Sequence, residues 1–450
     1  MPHTNPSAPL DTGEFPVVPA HERNHPQNPD ETAAESSEKP KVPVQLKVLI
    51  VAAFCIALGF GLIAPVLPRF AASFDVGAMA AALVVSMFAV MRVAFAPASG
   101  KIVTKLGERH TYIAGLLIVA LSSLGVSFSW DYWSLLAFRA FGGVGSVMFT
   151  VSAMGLIVRY APLQLRGRIS GYYATSFLLG NILGPVLGSL MAGLGMRLPF
   201  MIYAVALFIA SAVVFFYLKD APQQGAQTKT QKPALTLAEA WKFENYKAAL
   251  TSNFAMGWTA LGIRVSMVPL AAVALLSQYH AGQNYDADAG GTVLAGITLA
   301  LYAAGNAITQ NISGPLSDRW GRRRFIFWGL LIAGLATVAV GWAPSPLLFC
   351  VFSVFTGIGT GLLGPSLQAS VADVIGNFRS GGTVLSTFQM CSDLGQIVGP
   401  LVAGLLVDLW GFQVAFAVSG AILLFTGLGW LPGRRPAFPS SLADEEYTGK

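Results

Sequence analysis

Long apolar runs recur along this chain and constrain its fold more than any other feature of the sequence. A helix that crosses a bilayer needs about 20 consecutive apolar residues. The runs are too long for the strands of a membrane barrel, and they lack the alternation of polar and apolar residues that such strands show. They predict twelve membrane-spanning helices, called spans 1 to 12 in chain order: 46–68, 78–99, 111–128, 133–158, 169–193, 198–218, 248–276, 291–313, 325–342, 347–372, 383–407 and 412–431.

The composition agrees with a membrane protein that is all α-helix. Of the 450 residues, 54% are hydrophobic and only 11% are charged, whereas a globular domain carries about 25% charged residues. A soluble protein and a disordered chain are therefore excluded. The net charge of +6 does not indicate nucleic-acid binding, because the basic residues lie between apolar runs and form no single patch.

The cysteines and histidines indicate neither a disulfide framework nor a metal site. The three cysteines, Cys55, Cys350 and Cys391, are odd in number and lie inside apolar runs, and all five histidines lie outside those runs. We therefore expect no bound metal.

Polar segments divide the chain into five parts. Residues 1–44 are rich in Pro, Ser, Asn and Glu and predict a disordered cytoplasmic tail. Two six-helix halves, 45–218 and 248–432, flank a linker at 219–247, and 433–450 form a second cytoplasmic tail. Within the linker region, Thr236–Leu250 is amphipathic and predicts a helix on the membrane surface.

The distribution of Lys and Arg predicts the orientation of the chain, because cytoplasmic loops carry an excess of both. One set of loops holds only Arg69 and Arg197. The opposite set holds nearly all the others and is predicted to be cytoplasmic, together with both termini: Lys101, Lys105, Arg109, Arg159, Arg166, Arg168, Lys219 to Lys247, Arg319, Arg322 to Arg324, Arg379, Arg434 and Arg435.

The two halves repeat one another at nearly constant spacing. The loop motif at 100–107 recurs at 314–321, which is 214 positions later, and Gly143 and Gly145 recur 214 positions later as Gly357 and Gly359. Gly184–Pro185 recurs 215 positions later as Gly399–Pro400. Two parallel six-helix repeats are the layout of the major facilitator transporters, whose substrate site lies between the halves near the midplane.

Four motifs, in one order, resemble the twelve-helix drug:proton antiporter branch of the major facilitator superfamily. Span 1 ends with the paired prolines Pro65 and Pro68, and span 4 carries Arg139 before Gly143 and Gly145. Span 5 carries the pattern of the antiporter motif: Gly180, Gly184, Pro185 and Gly188. The loop after span 2 and its copy after span 8 resemble the family's cytoplasmic gating motif, with these residues: Gly100, Lys105, Gly107, Arg109, Gly314, Asp318, Arg319, Gly321, Arg322 and Arg323.

The gating motif predicts ion pairs at the cytoplasmic rim. Asp318 can pair with basic groups or a helix N-terminus, while Arg319 and Arg322 to Arg324 can meet helix C-termini or Asp373 at the end of span 10. Such pairs would hold the transporter closed to the inside, although the same arginines could serve only to set the topology. The first loop departs from the family because its acidic position is Thr104. We therefore expect the second loop to carry most of the latch.

The antiporter motif places its glycines four residues apart on one face of span 5. A neighbouring helix can approach such a face closely, and Pro185 permits a bend. The pattern indicates a sliding surface, or alternatively tight packing without a transport role.

Four ionisable residues lie well inside the spans, where charges are costly and usually functional. They are Arg92 in span 2, Arg139 in span 4, Arg264 in span 7 and Asp393 in span 11. Asp393 is the only interior acid and is the leading candidate for proton binding. Arg92 and Asp393 lie roughly 12 Å and 15 Å from the cytoplasmic edge at 1.5 Å per residue. The resemblance implies that spans 2 and 11 face each other, so we expect the two residues to pair in one state and separate in the other.

The resemblance also assigns proton transfer to Arg139, although an alternative is that Arg139 only binds nearby helix backbones. The interior holds three arginines and one aspartate, which predicts an electropositive cavity that prefers neutral, zwitterionic or anionic compounds to permanent monocations. The residues predicted to line the substrate cavity are Arg264, Phe60, Trp258, Tyr302, Asn306, Gln310 and Gln389.

The resulting prediction is a monomeric transporter of the plasma membrane that exports small amphipathic compounds in exchange for protons. It needs no cofactor beyond the proton gradient, and its partners are the small-molecule substrate, protons and the bilayer. A proton-coupled importer of a nutrient or metabolite is the alternative within the same fold. A membrane enzyme is disfavoured because the helix cores hold no histidine or glutamate. A sensor that does not transport is a third possibility.

Overall fold

The computed structural model describes residues 43–160, 166–218, 235–282, 285–375 and 382–431. Both predicted tails, apart from the last two residues of the first, lie outside these ranges, as do 219–234 of the linker and the loop residues Arg379, Arg434 and Arg435. The side chains of Arg159, Arg166 and Arg168 are likewise outside the described part.

The first half is built from long helices that match the predicted spans. Span 1 is Val44–Ile63, followed by the short helix Leu67–Ala72. Spans 2 and 3 form one helical run, Ala78–Ser127, that is broken at Gly107. Spans 4, 5 and 6 are Tyr132–Tyr160, Arg166–Ala192 and Leu198–Tyr217.

The second half repeats this order. Span 7 is Glu244–Gly257, a π-helical segment Trp258–Val265, and Val268–Tyr279. Spans 8 and 9 are Ala287–Trp320 and Arg322–Gly341. Spans 10, 11 and 12 are Pro346–Ile375, Gly382–Trp410 and Phe412–Gly427, the last followed by the turn Leu428–Trp430.

Nine helices of the described chain are long and apolar enough to cross a membrane, or ten when the two arms of span 7, bent by 44°, count as one. One of the nine is Ala78–Ser127, which contains spans 2 and 3, and span 5 contains the shorter apolar helix Thr175–Met191. The helical architecture is therefore consistent with twelve spans.

The internal repeat is visible in the backbone. Gly107 and Gly321, which are 214 positions apart, have φ of +78° and +96°. L side chains rarely adopt this region, so glycine lets the chain turn sharply between two helices at both copies of the motif. The predicted gating loops are consequently not open loops, because the helices continue to within one residue of these glycines.

A pair of hydrogen bonds also repeats at the same offset. Arg109 donates from Nη2 to the carbonyl oxygen of Phe215 at 2.8 Å, and Arg323 donates from Nη2 to that of Gly429 at 3.3 Å. Both members of the second bond lie 214 positions after those of the first. Each arginine thus stabilises the carbonyl end of the last helix of its own half.

The stretch Thr236–Leu250 is not the single surface helix that its amphipathic pattern predicts. It divides into a short helix, Leu237–Ala240, capped by Thr236, and the beginning of span 7 at Glu244. Tyr246 is fully buried and donates from its hydroxyl to the carbonyl oxygen of Val384 at 2.9 Å. Tyr246, an apolar-face residue of the stretch, therefore packs against span 11, while Trp241 is exposed.

Candidate transport site

A cavity of about 660 Å³ lies between the two halves. Spans 1 and 5 form one wall, and spans 7 and 8 form the other. Its lining combines aromatic rings, amide groups and one guanidinium: Phe60, Gly61, Ala64, Tyr172, Thr175, Phe177, Leu178, Asn181, Pro185, Arg264, Val265, Leu299, Tyr302, Ala303, Asn306, Gln310 and Asn311.

Five of the seven residues predicted to line the cavity do so: Phe60, Arg264, Tyr302, Asn306 and Gln310. Trp258 does not, because its indole is buried inside the second half and donates from Nε1 to the Ser419 hydroxyl at 2.9 Å. Gln389 is exposed on span 11, where it donates to Asp393. Tyr172, Phe177 and Asn181 of span 5 are lining residues that sequence reasoning missed.

Arg264 lies on the π-helical segment of span 7, and its side chain is held from two sides. Its Nε donates to the carbonyl oxygen of Ala260 at 3.3 Å, and its Cζ lies 4.4 Å from the centroid of the Tyr302 ring. The Tyr302 hydroxyl lies 2.7 Å from that of Thr360, which also accepts a hydrogen bond from Asn306 at 3.0 Å. π-helical turns are frequent at functional sites, and here the turn brings a fixed cation to the cavity wall.

Arg139 is buried beside the main cavity rather than inside it. Its Cζ lies 4.5 Å from the centroid of the Phe88 ring, and its Nε has no hydrogen-bond partner. It lines a small neighbouring pocket together with Phe60 and Val265, two residues that also line the main cavity. Arg139 therefore lies in a pocket that adjoins that cavity.

Arg92 and Asp393 face each other across the two halves without forming a bond. The two charges interact electrostatically, yet no ion pair joins them. The Asp393 carboxylate accepts hydrogen bonds from Gln389 at 3.3 Å and Gln396 at 3.4 Å, whereas the buried Nε of Arg92 has no partner. Neither residue lines the main cavity, so of the three interior arginines only Arg264 does.

Two polar contacts join the halves at their outer ends, meaning the side opposite the predicted cytoplasmic loops. The Asp408 carboxylate at the end of span 11 accepts hydrogen bonds from the backbone N–H groups of Ala78 and Met79 at 2.8 Å and 2.9 Å. It thereby caps the N-terminus of span 2. Arg69 forms an ion pair of 2.8 Å with Asp288 at the start of span 8. Sequence reasoning missed both acids, whose only signal is their position at span ends.

Close backbone packing seals the same outer side. A Cβ placed on Gly404 of span 11 would lie 2.6 Å from the Cα of Met79, and one on Gly296 of span 8 would lie 2.5 Å from the carbonyl oxygen of Pro185. By contrast, Thr175, Gln310 and Asn311, at the inner end of the cavity, are exposed. The structure is therefore closed on the outer side and open on the inner side.

The gating residues of the second half form their bonds with other residues of the same half. Arg322 forms ion pairs with Asp318 at 3.2 Å and with Asp373, and it donates to the carbonyl oxygen of Ala369. These bonds join the inner ends of spans 8, 9 and 10, while Arg319 is exposed. A Cβ on Gly314 would have its nearest neighbour 4.0 Å away, in Pro365.

The gating residues of the first half form a looser set. Thr104 donates to the carbonyl oxygen of its own helix at Gly100, and Lys105 is exposed. A Cβ on Gly100 or Gly107 would meet no atom within 4 Å. Space is thus left at this rim in the state described.

The glycines of span 5 pack against span 1 of the same half. A Cβ on Gly180 would lie 2.6 Å from the Cβ of Ala57, and one on Gly184 would lie 2.6 Å from the Cα of Gly61. Gly188 meets the backbone of Leu62 in the same way. The close approach predicted from the motif therefore exists inside the first half, whereas the face of span 5 that carries the Pro185 carbonyl meets span 8.

Two six-helix halves around a central cavity that opens on one side define a membrane transporter. The family model of the "Major Facilitator Superfamily" matches residues 49–314 and 291–447 of the chain. The chain belongs to this family, whose members are transporters and not enzymes.

Curated relatives and a solved structure agree with this assignment. The chain is 26% identical to "Multidrug resistance protein 2" of Bacillus subtilis (strain 168) over 390 residues, which cover 85% of this chain and 93% of that protein. It is 27% identical to "Quinolone resistance protein NorA" of Staphylococcus aureus (strain MRSA252) over 371 residues, covering 81% and 90% of the two chains. The crystal structure of the nucleoside transporter NupG shares the fold with a TM-score of 0.69 at 13% identity, covering 86% of this chain and 98% of that one.

Proposed function

We propose that this transporter exports small amphipathic compounds from the cytoplasm in exchange for protons. The described state opens on the side of the predicted cytoplasmic loops, where an exporter collects its substrate. The curated relatives are named for multidrug and quinolone resistance, which favours export over the alternative, import of a nutrient. The protein would act as a monomer in the plasma membrane with both termini inside.

The observation that carries proton coupling is the unbonded pair of Arg92 and Asp393. Asp393 and Arg92 belong to different halves, so the distance between them changes when the halves move. The electrostatic environment of the Asp393 carboxylate changes with that distance. Protonation of Asp393 would then be linked to the position of the halves, as alternating access requires. A proton moving through about 100 mV releases about 2.3 kcal/mol, which supports roughly fiftyfold accumulation at 1.4 kcal/mol per decade.

Substitution of Asp393 by Asn tests this coupling, because Asn keeps the size of the side chain and removes its charge. In reconstituted vesicles, D393N is expected to abolish uphill accumulation driven by an imposed pH gradient. Downhill exchange of a labelled amphipathic compound should persist, because it needs the moving halves but no proton. A fluoroquinolone is the first compound to use.

The matched control is E244Q, which removes an exposed carboxylate that pairs with Lys247 at the beginning of span 7. It should accumulate substrate as the wild type does. Accumulation by D393N at the wild-type level, under the same pH gradient, would show that Asp393 does not couple transport to protons. Uptake into whole cells that falls when a protonophore is added would instead favour the importer.

A further inference from the structure

We infer that Arg264 binds the carboxylate of the transported compound, so that the site takes amphipathic aromatic carboxylates. This inference rests on the proposed transport function and narrows its substrate class. Among the described lining residues Arg264 is the only charged one, and the acids Asp393 and Asp408 lie elsewhere. The cavity therefore presents one uncompensated positive charge.

The guanidinium of Arg264 is held with its outer edge free. Nε donates to the carbonyl oxygen of Ala260, and the guanidinium carbon lies over the Tyr302 ring. The two terminal nitrogens, Nη1 and Nη2, form no hydrogen bond in the part of the chain that the structure describes. This fork of donors matches the two oxygens of a carboxylate, and arginine makes such bidentate contacts more readily than lysine.

Closure of the cavity strengthens the argument. In the open state water solvates the guanidinium, but in the occluded state most of that water must leave. An unpaired charge without water is strongly disfavoured, whereas an anion bound to it restores the lost interactions. A carboxylate on the substrate would therefore favour closure, which a neutral compound of the same shape would not.

The rest of the lining suits an aromatic body. Phe60, Phe177 and Tyr172 line the same cavity on the wall opposite Arg264, and ring pairs stabilise one another beyond the area that they bury. The amides of Asn181 and Asn306 can bind polar substituents. An aromatic compound that carries one carboxylate can therefore bind Arg264 on one wall of the cavity and pack its ring against the aromatic residues of the other wall.

The test compares three naphthalene compounds for binding to the purified full-length protein. They are 1-naphthylacetate, its near-isosteric amide 1-naphthylacetamide, and the cation (1-naphthylmethyl)trimethylammonium. The wild type is expected to bind the carboxylate at least about tenfold more tightly than the amide, which corresponds to about 1.4 kcal/mol. The cation should bind more weakly than both.

Two variants of Arg264 and one control variant test whether its charge and its fork of donors set this preference. R264Q is expected to bind the carboxylate and the amide equally, with its affinity for the amide unchanged, which shows that the cavity is intact. R264K keeps the charge without the fork and should retain a reduced preference. K242Q removes an exposed positive charge outside the cavity and should leave the preference unchanged.

An unchanged preference in R264Q, or tighter binding of the cation by the wild type, would overturn the inference. If R264Q no longer bound the amide, its cavity would not be intact, and R264K would be the variant that tests the inference. A full preference of R264K for the carboxylate would contradict the bidentate contact. Export of 1-naphthylacetate is measured separately. Binding through Arg264 without proton-driven export would refute the proposed function alone, while export with no effect of R264Q would refute this inference alone.

Discussion

The cap that Asp408 provides for span 2 joins two halves that must separate before the outer side can open. Its partners, the N–H groups of Ala78 and Met79, belong to the opposite half. Both hydrogen bonds are therefore broken in an outward-open state. We predict that D408N shifts the equilibrium toward that state, because Asn removes the negative charge from the helix N-terminus.

The magnitude follows from the two bonds and their exposure. Removing a capping side chain costs about 1 kcal/mol, and a carboxylate near a helix N-terminus adds about 0.3–1 kcal/mol at an exposed site. Asp408 is exposed, and Asn keeps one acceptor, so about 1 kcal/mol is expected for D408N. At 1.4 kcal/mol per decade, the outward-open population rises about fivefold.

Thiol labelling can measure this shift. Ser189 is 2% exposed and packs against Gly296 in the sealed outer part, so a cysteine at this position should react only when the outer side opens. In a background without Cys55, Cys350 and Cys391, purified S189C should be labelled about five times faster when it also carries D408N.

The control is D131N, which changes a cap inside one half. Asp131 accepts a hydrogen bond from the backbone N–H of Ser134 at 2.9 Å at the start of span 4, and the hydrogen bonds with the Ser134 side chain and backbone lower the pKa of this carboxyl. Loss of the Asp131 cap should leave the labelling rate of S189C unchanged. Equal labelling of D408N and the parent, or an equal rise in D131N, would refute the link between this cap and outer closure.

Two further predictions concern packing and the repeat. G184A should lower the melting temperature in detergent, because its Cβ would lie 2.6 Å from the Cα of Gly61, whereas G364A should not, because its Cβ meets nothing within 4 Å; equal shifts would contradict the close crossing of spans 1 and 5. R109Q and R323Q should each destabilise the protein by about 0.5–1 kcal/mol, and their sum should describe the double variant, because the two bonds lie in different halves. A strongly non-additive double variant in the same unfolding assay would show that the two bonds are coupled.

The spans, the repeat and the close approach at Gly184 could be predicted from the sequence because each depends on local pattern. The length of an apolar run predicts a membrane span. Glycines four residues apart predict a close crossing with another helix, whichever helix that is. The sequence also offers Asp373 as one partner for the basic residues Arg319 and Arg322 to Arg324, since all lie at inner helix ends of the same half, and the structure pairs Asp373 with Arg322.

The cavity wall was harder to predict because it depends on which face of each helix turns inward. Trp258 lies one turn and a half before Arg264 in the same π-helical segment, yet its indole points into the second half and binds Ser419. A π-helical turn changes the angle between successive side chains around the helix axis. Because the span is apolar on all sides, its sequence does not indicate which face turns toward the cavity. Likewise, the role of Asp408 depends on a partner 330 positions away.

The outer contacts at Asp408 and Asp288 lie far from the groups that would touch a substrate. A substitution there changes how often the cavity is presented to the outside, but it leaves the shape and charge of the cavity as they are. Selection can therefore alter the turnover rate of this protein without altering the range of compounds that it accepts. Changes at Arg264 or Phe60 would alter the range of compounds that bind, so selectivity depends on positions that do not overlap with the outer contacts.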